Sequence, residues 1–153
     1  MVSIVLNVLQ RFRQFLWWIW RQDGSPAQRA RGIAVGVFCG CFPFFGLQTL
    51  LGIMLASLLR GNRLLAVTGT WISNPFTYLP LYWLNYTIGF SILGITDKEL
   101  IDFRNLTSKE LWDQGWLVSS RLLVGSTLVG FVLSMSIGFV FYLCLKLCSK
   151  TKV

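Results

Sequence analysis

Phe42-Pro43-Phe44-Phe45-Gly46-Leu47-Gln48-Thr49 and Gly69-Thr70-Trp71-Ile72-Ser73-Asn74-Pro75-Phe76-Thr77 interrupt two long apolar runs, residues 32–59 and 64–95. Both interruptions are written in residues that stop helices. Pro43 and Pro75 have no N–H to donate, and the residue before a proline, here Phe42 or Asn74, is pushed away from helical angles. Gly46 adds conformational freedom to the first break. In hydrocarbon, a backbone that leaves the helix has to find its partners in protein or in a water-filled cavity. Broken membrane helices therefore tend to mark a binding or transport site near mid-depth. The two breaks, with Pro43, Gly46 and Pro75 as their structural stops, are the candidate working region.

Composition supports reading these runs as membrane segments. Of 153 residues, 54% are hydrophobic, and the polar outer faces that soluble helices require are missing between residues 32 and 95. Residues 115–145 carry only Arg121 as a charge, and its place near one end of the run predicts that it snorkels to the headgroups. The formal charge of +8 is gathered at the flanks, with Arg11, Arg13, Arg21, Arg29 and Arg31 before the first run and Lys146, Lys150 and Lys152 after the last. Charges that flank apolar spans fit anionic lipid headgroups and the positive-inside bias rather than nucleic acid. With no histidine in the chain, and with Cys39, Cys41, Cys144 and Cys148 in or beside apolar runs, the common zinc and haem ligand sets are missing and no cofactor is expected.

Three regions follow from the pattern. Residues 1–24 form an amphipathic interfacial segment. Its apolar side is Ile4, Val5, Val8, Leu9, Phe12, Phe15, Leu16 and Ile19, and Trp17, Trp18 and Trp20 suit the headgroup level. The plainer reading is a helix packed on its own domain. Residues 25–148 are the membrane domain, and 149–153 a basic tail. Ser25 caps and Pro26 opens a helix that Pro43 and Gly46 end, and a second piece runs from residue 47 to 60. Neither piece has the ~20 residues of a full crossing, so together they make one kinked span or a re-entrant hairpin. A hairpin puts Arg60 and Arg63, either side of the Gly61-Asn62 turn, on the same side as the other arginines, and the charge rule favours it. Residues 64–95 then cross with a break at Asn74-Pro75, and 96–115 lie as a mixed-charge connection on the outer surface. Residues 117–145 return, leaving both termini cytoplasmic.

The polar groups beside the breaks are Gln48 and Thr49 in the first and Thr68, Thr70, Ser73, Asn74 and Thr77 in the second, of which Gln48, Thr49, Thr70, Asn74 and Thr77 make the candidate polar site. Amides and hydroxyls of this kind can simply satisfy the exposed backbone. The sharper reading points Gln48 and Asn74 at one another across a polar site. No acid lies in either broken segment, and no nucleophile stands beside a base, so an enzyme is not expected. Small residues recur every fourth position, Gly32, Gly36 and Gly40 in one run and Ser126, Gly130, Ser134 and Gly138 in the last. Such stripes let helices approach closely in lipid, and pairing Gly36 and Gly40 with Gly130 and Gly138 is the expected packing.

The run from Ser25-Pro26 through Ala34-Val35-Gly36-Val37-Phe38, the two break motifs, Leu59-Arg60-Gly61-Asn62, and the later Pro80-Leu81-Tyr82 and Ile88-Gly89 resembles the bacterial membrane family called domain of unknown function 2062. The likeness covers about residues 25–145 and implies a bacterial inner-membrane protein of unassigned activity. Some members are joined to glycosyltransferase-like domains, which implies a setting of envelope lipids or glycans.

The expectation is an all-α polytopic membrane protein with a re-entrant or broken hairpin, a second interrupted pair and a continuous final helix. Its function is that of a small transporter-like or envelope-lipid-handling protein. The alternative is a non-catalytic scaffold for an envelope enzyme. Its partners are the bilayer and its anionic headgroups, with a membrane protein or a second copy of the chain left open.

Overall fold

The computed structural model describes residues 17–44, 46–94 and 108–150, with positions 7, 10, 11, 13 and 14 of the N-terminal segment; within 108–150, side chains are described for 115–148. The expected surface connection at 96–115 lies outside the described residues over most of its length. So do most of the amphipathic stretch ahead of Trp17 and the tail beyond Lys150.

The described residues are helical, with no strand among them. In chain order they form α1 (Pro26–Gly40), α2 (Leu47–Leu58), α3 (Arg63–Gly69), a 3-10 turn (Thr70–Ile72), α4 (Tyr78–Leu93) and α5 (Ser108–Lys150). Ser25 caps α1 by accepting from the Gln28 N–H at 3.2 Å, and Pro26 occupies the first turn, where its missing donor costs nothing. The helix ends where the sequence says it should. Gly46, at φ 80°, reverses the chain in a conformation that an L residue rarely takes, and α2 begins. At 15 and 12 residues, α1 and α2 are each too short to cross a bilayer, which needs ~20.

α2 returns to the start of α1. Its end is a Schellman-type close, with the Gly61 N–H on the Ala56 carbonyl at 2.7 Å and the Arg60 N–H on Ser57 at 3.3 Å. Arg60, rather than Gly61, takes the left-handed angle there, at φ 52°. Gly61 is needed for closeness instead, because a Cβ on it would stand 3.0 Å from the Gly32 nitrogen. Asn62 pins the turn. Its N–H donates to the Gln28 carbonyl at 3.0 Å, its Nδ2 to Asp23 at 2.9 Å, and its Oδ1 accepts the Leu65 N–H that opens α3.

α3 then runs beside α1 in the same direction. Cβ atoms at Gly32 and Gly36 would overlap the carbonyls of Asn62 and Ala66, and one at Gly40 would stand 2.9 Å from the Thr70 carbonyl. The expected partner of Gly36 and Gly40 was the stripe of the last helix, and this is corrected: they face α3 and the 3-10 turn. The other stripe does meet α1, but on a different face. A Cβ at Gly130 would lie 3.2 Å from Cys41 Cβ, and one at Gly138 2.8 Å from Ala34 Cβ. α1 is thus sandwiched, with Val35 and Cys39 against Ala56 and Ala66, and Ile33 and Val37 in the cluster that Leu133, Ile137 and Phe141 of α5 join.

Along α5 the order of neighbours is Ala34, Cys41, Asn85 and Gly89, met at Gly138, Gly130, Gly125 and Arg121 respectively. α1 and α4 therefore lie end to end along one long helix and meet near residue 130, about halfway along its apolar stretch Gly115–Cys148. That stretch has 34 residues, ~50 Å at 1.5 Å each, and is long and apolar enough to cross a membrane.

Candidate functional site

Both breaks reach the level at which α1 gives way to α4. Here the two interrupted segments touch through side chains. Gln48 Nε2 donates to Ser73 Oγ at 3.1 Å, and the Ser73 hydroxyl is also 3.4 Å from Gln48 Oε1 and from the Thr70 carbonyl. Thr49 and Thr70 bring their hydroxyls to 3.4 Å. Gln48 and Thr70 are buried, Thr49 and Ser73 half-buried. Of the expected site residues, Gln48, Thr49 and Thr70 are therefore brought together, joined by Ser73, which the sequence placed beside the second break but outside the candidate site.

Asn74 and Thr77 behave differently. Asn74 Oδ1 accepts the N–H groups of Phe76 and Thr77 at 2.9 and 3.1 Å, and its Nδ2 donates to the Trp71 carbonyl at 3.4 Å. Thr77 Oγ1 accepts the Asn74 N–H at 3.0 Å and donates to the Ile72 carbonyl. Both side chains are exposed and bond to backbone within five residues, which is the usual turn chemistry of these residues around a proline. The direct Gln48–Asn74 approach expected from sequence is replaced by Gln48–Ser73.

A second polar knot lies on the α5 side. Asn85, fully buried, donates through Nδ2 to the Cys41 carbonyl and to Ser126 Oγ, each at 2.9 Å. Tyr82 donates its hydroxyl to the Phe42 carbonyl at 3.3 Å. The carbonyls left over at the C-terminal end of α1 are thus served from α4. A third knot is Arg121. It is 1% exposed, so the expected snorkelling to headgroups does not occur. Its Nη2 donates to the Gly94 carbonyl at 2.9 Å and its Nη1 to the Tyr86 hydroxyl at 3.2 Å, with the guanidinium carbon 4.7 Å from the centre of the Phe90 ring. Cβ atoms at Gly89 and Gly125 would overlap the carbonyls of Arg121 and Asn85, so both polar residues are held where two backbones nearly touch. Gly89 and Gly125 fall outside the four-residue stripes, and only the fact that each is a glycine in an apolar helix hinted at this crossing.

What this chemistry offers is neutral hydrogen bonding. Gln48, Ser73, Thr49 and Thr70 both donate and accept, and neither broken segment contains an acid to move a proton. Among the described residues no group of three metal-binding side chains converges.

The family model described as an uncharacterized protein conserved in bacteria, DUF2062, matches residues 9–153. The chain belongs to the DUF2062 family. Nearly the whole molecule is covered, so both breaks, the 60–63 turn and α5 all lie within the family's domain. No curated protein and no solved structure matches this DUF2062 chain.

Proposed function

We propose that this DUF2062 chain is a multi-pass protein of the bacterial inner membrane that handles a polar or amphipathic molecule where its two interrupted segments meet, in the manner of a small transporter or an envelope-lipid-handling protein. The observation that carries the reading is the side-chain bond between Gln48 and Ser73, which joins the two breaks halfway along α5. Half-length helices that converge on neutral polar groups at mid-depth are the architecture of many membrane binding sites. α1 and α2 act as a re-entrant hairpin, α3 and α4 as one broken crossing, and α5 as the continuous one.

The sidedness follows from charge. The 60–63 turn is bonded to Asp23 and Gln28, and Trp20 stacks edge-on against Phe141 near the lysine end of α5. The basic clusters therefore share one end of the molecule, which the positive-inside rule assigns to the cytoplasm. The bilayer and its anionic headgroups are the partners of this arrangement, and no catalytic step or cofactor is part of it. A second reading, a non-catalytic scaffold for an envelope enzyme, draws support from Asn74 and Thr77, which spend their bonding capacity on their own turn.

The test is a deletion strain complemented with Gln48→Leu, scored by lipid composition and solute uptake beside the thermal stability of the purified variant. Loss of complementation with stability nearly retained supports handling at the breaks. Full complementation by Gln48→Leu sinks that reading and leaves the scaffold.

A further inference from the structure

A second region of the molecule has the make-up of an amphiphile site. At the cytoplasmic end, a crevice of about 540 Å³ opens between the helical turn at 17–20 and the end of α5, with Trp17, Trp20, Arg21 and Arg29 on one side and Leu145 and Cys148 on the other. It shares Trp20 with an apolar groove of about 350 Å³ that follows α5 through Ile137, Val140, Phe141 and Cys144. Those positions repeat at helical spacing, so the groove runs along the helix axis rather than around it. One wall is cationic and the continuation is hydrocarbon. That is the polarity sequence of a phospholipid entering from the headgroup level.

Arg29 supplies the second observation. Its Nη2 is occupied by the carbonyls of Ile19 and Trp20, which fixes the guanidinium in place. Its Nε is buried and has no hydrogen-bond partner among the described residues. The buried Nε is closed to the crevice, so an entering phosphate oxygen is left the remaining guanidinium nitrogen, Nη1, as its donor, in the charge-assisted geometry that arginine offers phosphate. Arg21 stands at the same crevice with its guanidinium over the Trp17 ring at 4.9 Å. The nearby acid is Asp23, whose charge reaches Arg29 without forming an ion pair, so the crevice keeps a net positive charge.

We infer that this crevice and groove bind one anionic phospholipid, its headgroup phosphate on Arg29 and Arg21 and one acyl chain along Trp20, Val140 and Phe141. The bound lipid ties the N-terminal segment to α5 and orients the chain at the cytoplasmic leaflet. The inference rests on the membrane reading but is independent of the polar groups at the two breaks.

The purified full-length chain, delipidated in detergent, is titrated with phosphatidylglycerol, with phosphatidylcholine and with inorganic phosphate, and binding is read by native mass spectrometry and thermal shift. Phosphatidylglycerol is expected to bind one per chain and to raise Tm, while phosphatidylcholine binds about tenfold more weakly and phosphate alone does not shift Tm. Because Arg29 also holds two backbone carbonyls, its loss would disturb docking and binding together. Val140→Trp separates them, since Val140 is exposed on α5 and the larger ring fills the groove without touching the arginines. Val140→Trp should weaken phosphatidylglycerol binding about tenfold at unchanged lipid-free Tm. Equal binding of the two lipids, a full shift from phosphate alone, or undiminished binding by Val140→Trp each overturns the inference. Release of the chain from membranes without detergent would instead overturn the membrane reading beneath it.

Discussion

The two breaks solve one problem in opposite ways. At the first, the free carbonyls of Cys41 and Phe42 are served from forty or more residues away, by Asn85 and Tyr82. At the second, Asn74 and Thr77 satisfy the unwound backbone from within the turn itself. The first break therefore holds its shape only while α4 is in place, whereas the second carries its own support. A helix interruption that depends on a distant donor is coupled to the packing of that donor's helix. One that caps itself can persist while neighbouring helices shift. The Gln48–Ser73 bond bridges a tertiary-dependent break and a self-contained one.

The largest effect is expected where α4 is held to α5. Gly125→Leu places a side chain into the Asn85 carbonyl, which forces the helices apart and withdraws the donor from Cys41. A destabilisation at the upper end of the overpacking range, about 3 kcal/mol, is expected in detergent unfolding. Gly130→Leu, whose nearest contacts are side chains at 3.2 and 3.3 Å as well as a carbonyl, should cost less, about 1–3 kcal/mol. If Gly130→Leu proved the more damaging, the first break would owe its shape to α1–α5 packing rather than to α4.

Asn85→Leu removes the donor without crowding the site and leaves Cys41 O and Ser126 unserved by it, a loss of about 1–3 kcal/mol. Asn74→Ala removes a local cap at an exposed turn and should cost about 1 kcal/mol, as cap deletions generally do. Equilibrium unfolding of the pair sharpens the comparison, and an Asn74→Ala penalty larger than that of Asn85→Leu would break it. The smallest change in stability belongs to Gln48→Leu, which removes one side-chain bond between the two breaks and should cost about 0.6 kcal/mol, the typical scale for such a bond in lipid. Its effect on complementation should nevertheless be the greatest of the set.

Topology offers a coarser check. In a cysteine-free background, a single cysteine at position 62 should react with a membrane-impermeant reagent only from the cytoplasmic side. Reaction from outside alone would sink the proposed re-entrant hairpin, in which the 60–63 turn shares a side with the other basic clusters.

Much of this architecture is legible in the residues because its signals are local. Ser25 and Pro26 open α1, Pro43 and Gly46 close it, and the Asn74-Pro75 pair stops the next segment, each by the geometry of its own backbone. The arginines at 60 and 63 marked the direction in which α2 returns. Arg121 was misread for a physical reason. A lone arginine near the end of an apolar run normally reaches for water, and its burial required a carbonyl from Gly94, a hydroxyl from Tyr86 and the Phe90 ring, all brought by another helix. The polar site was half read in the same way. Gln48, Thr49 and Thr70 were singled out and are together, but Ser73 proved to be the partner that Asn74 was expected to be.

By itself, then, the sequence determined where helices start and stop, which segments are too short to cross, and which end of the molecule is basic, because capping, proline sterics and charge act over a few residues. The tertiary structure alone decided which small-residue stripe meets which. Gly36 fits α3 and Gly40 the 3-10 turn, Gly130 and Gly138 fit α1, and Gly89 and Gly125 make the tightest crossing. A glycine announces that a backbone can come close, but with no side chain of its own it carries no mark of which backbone will. That choice is made by the shapes of two surfaces at once.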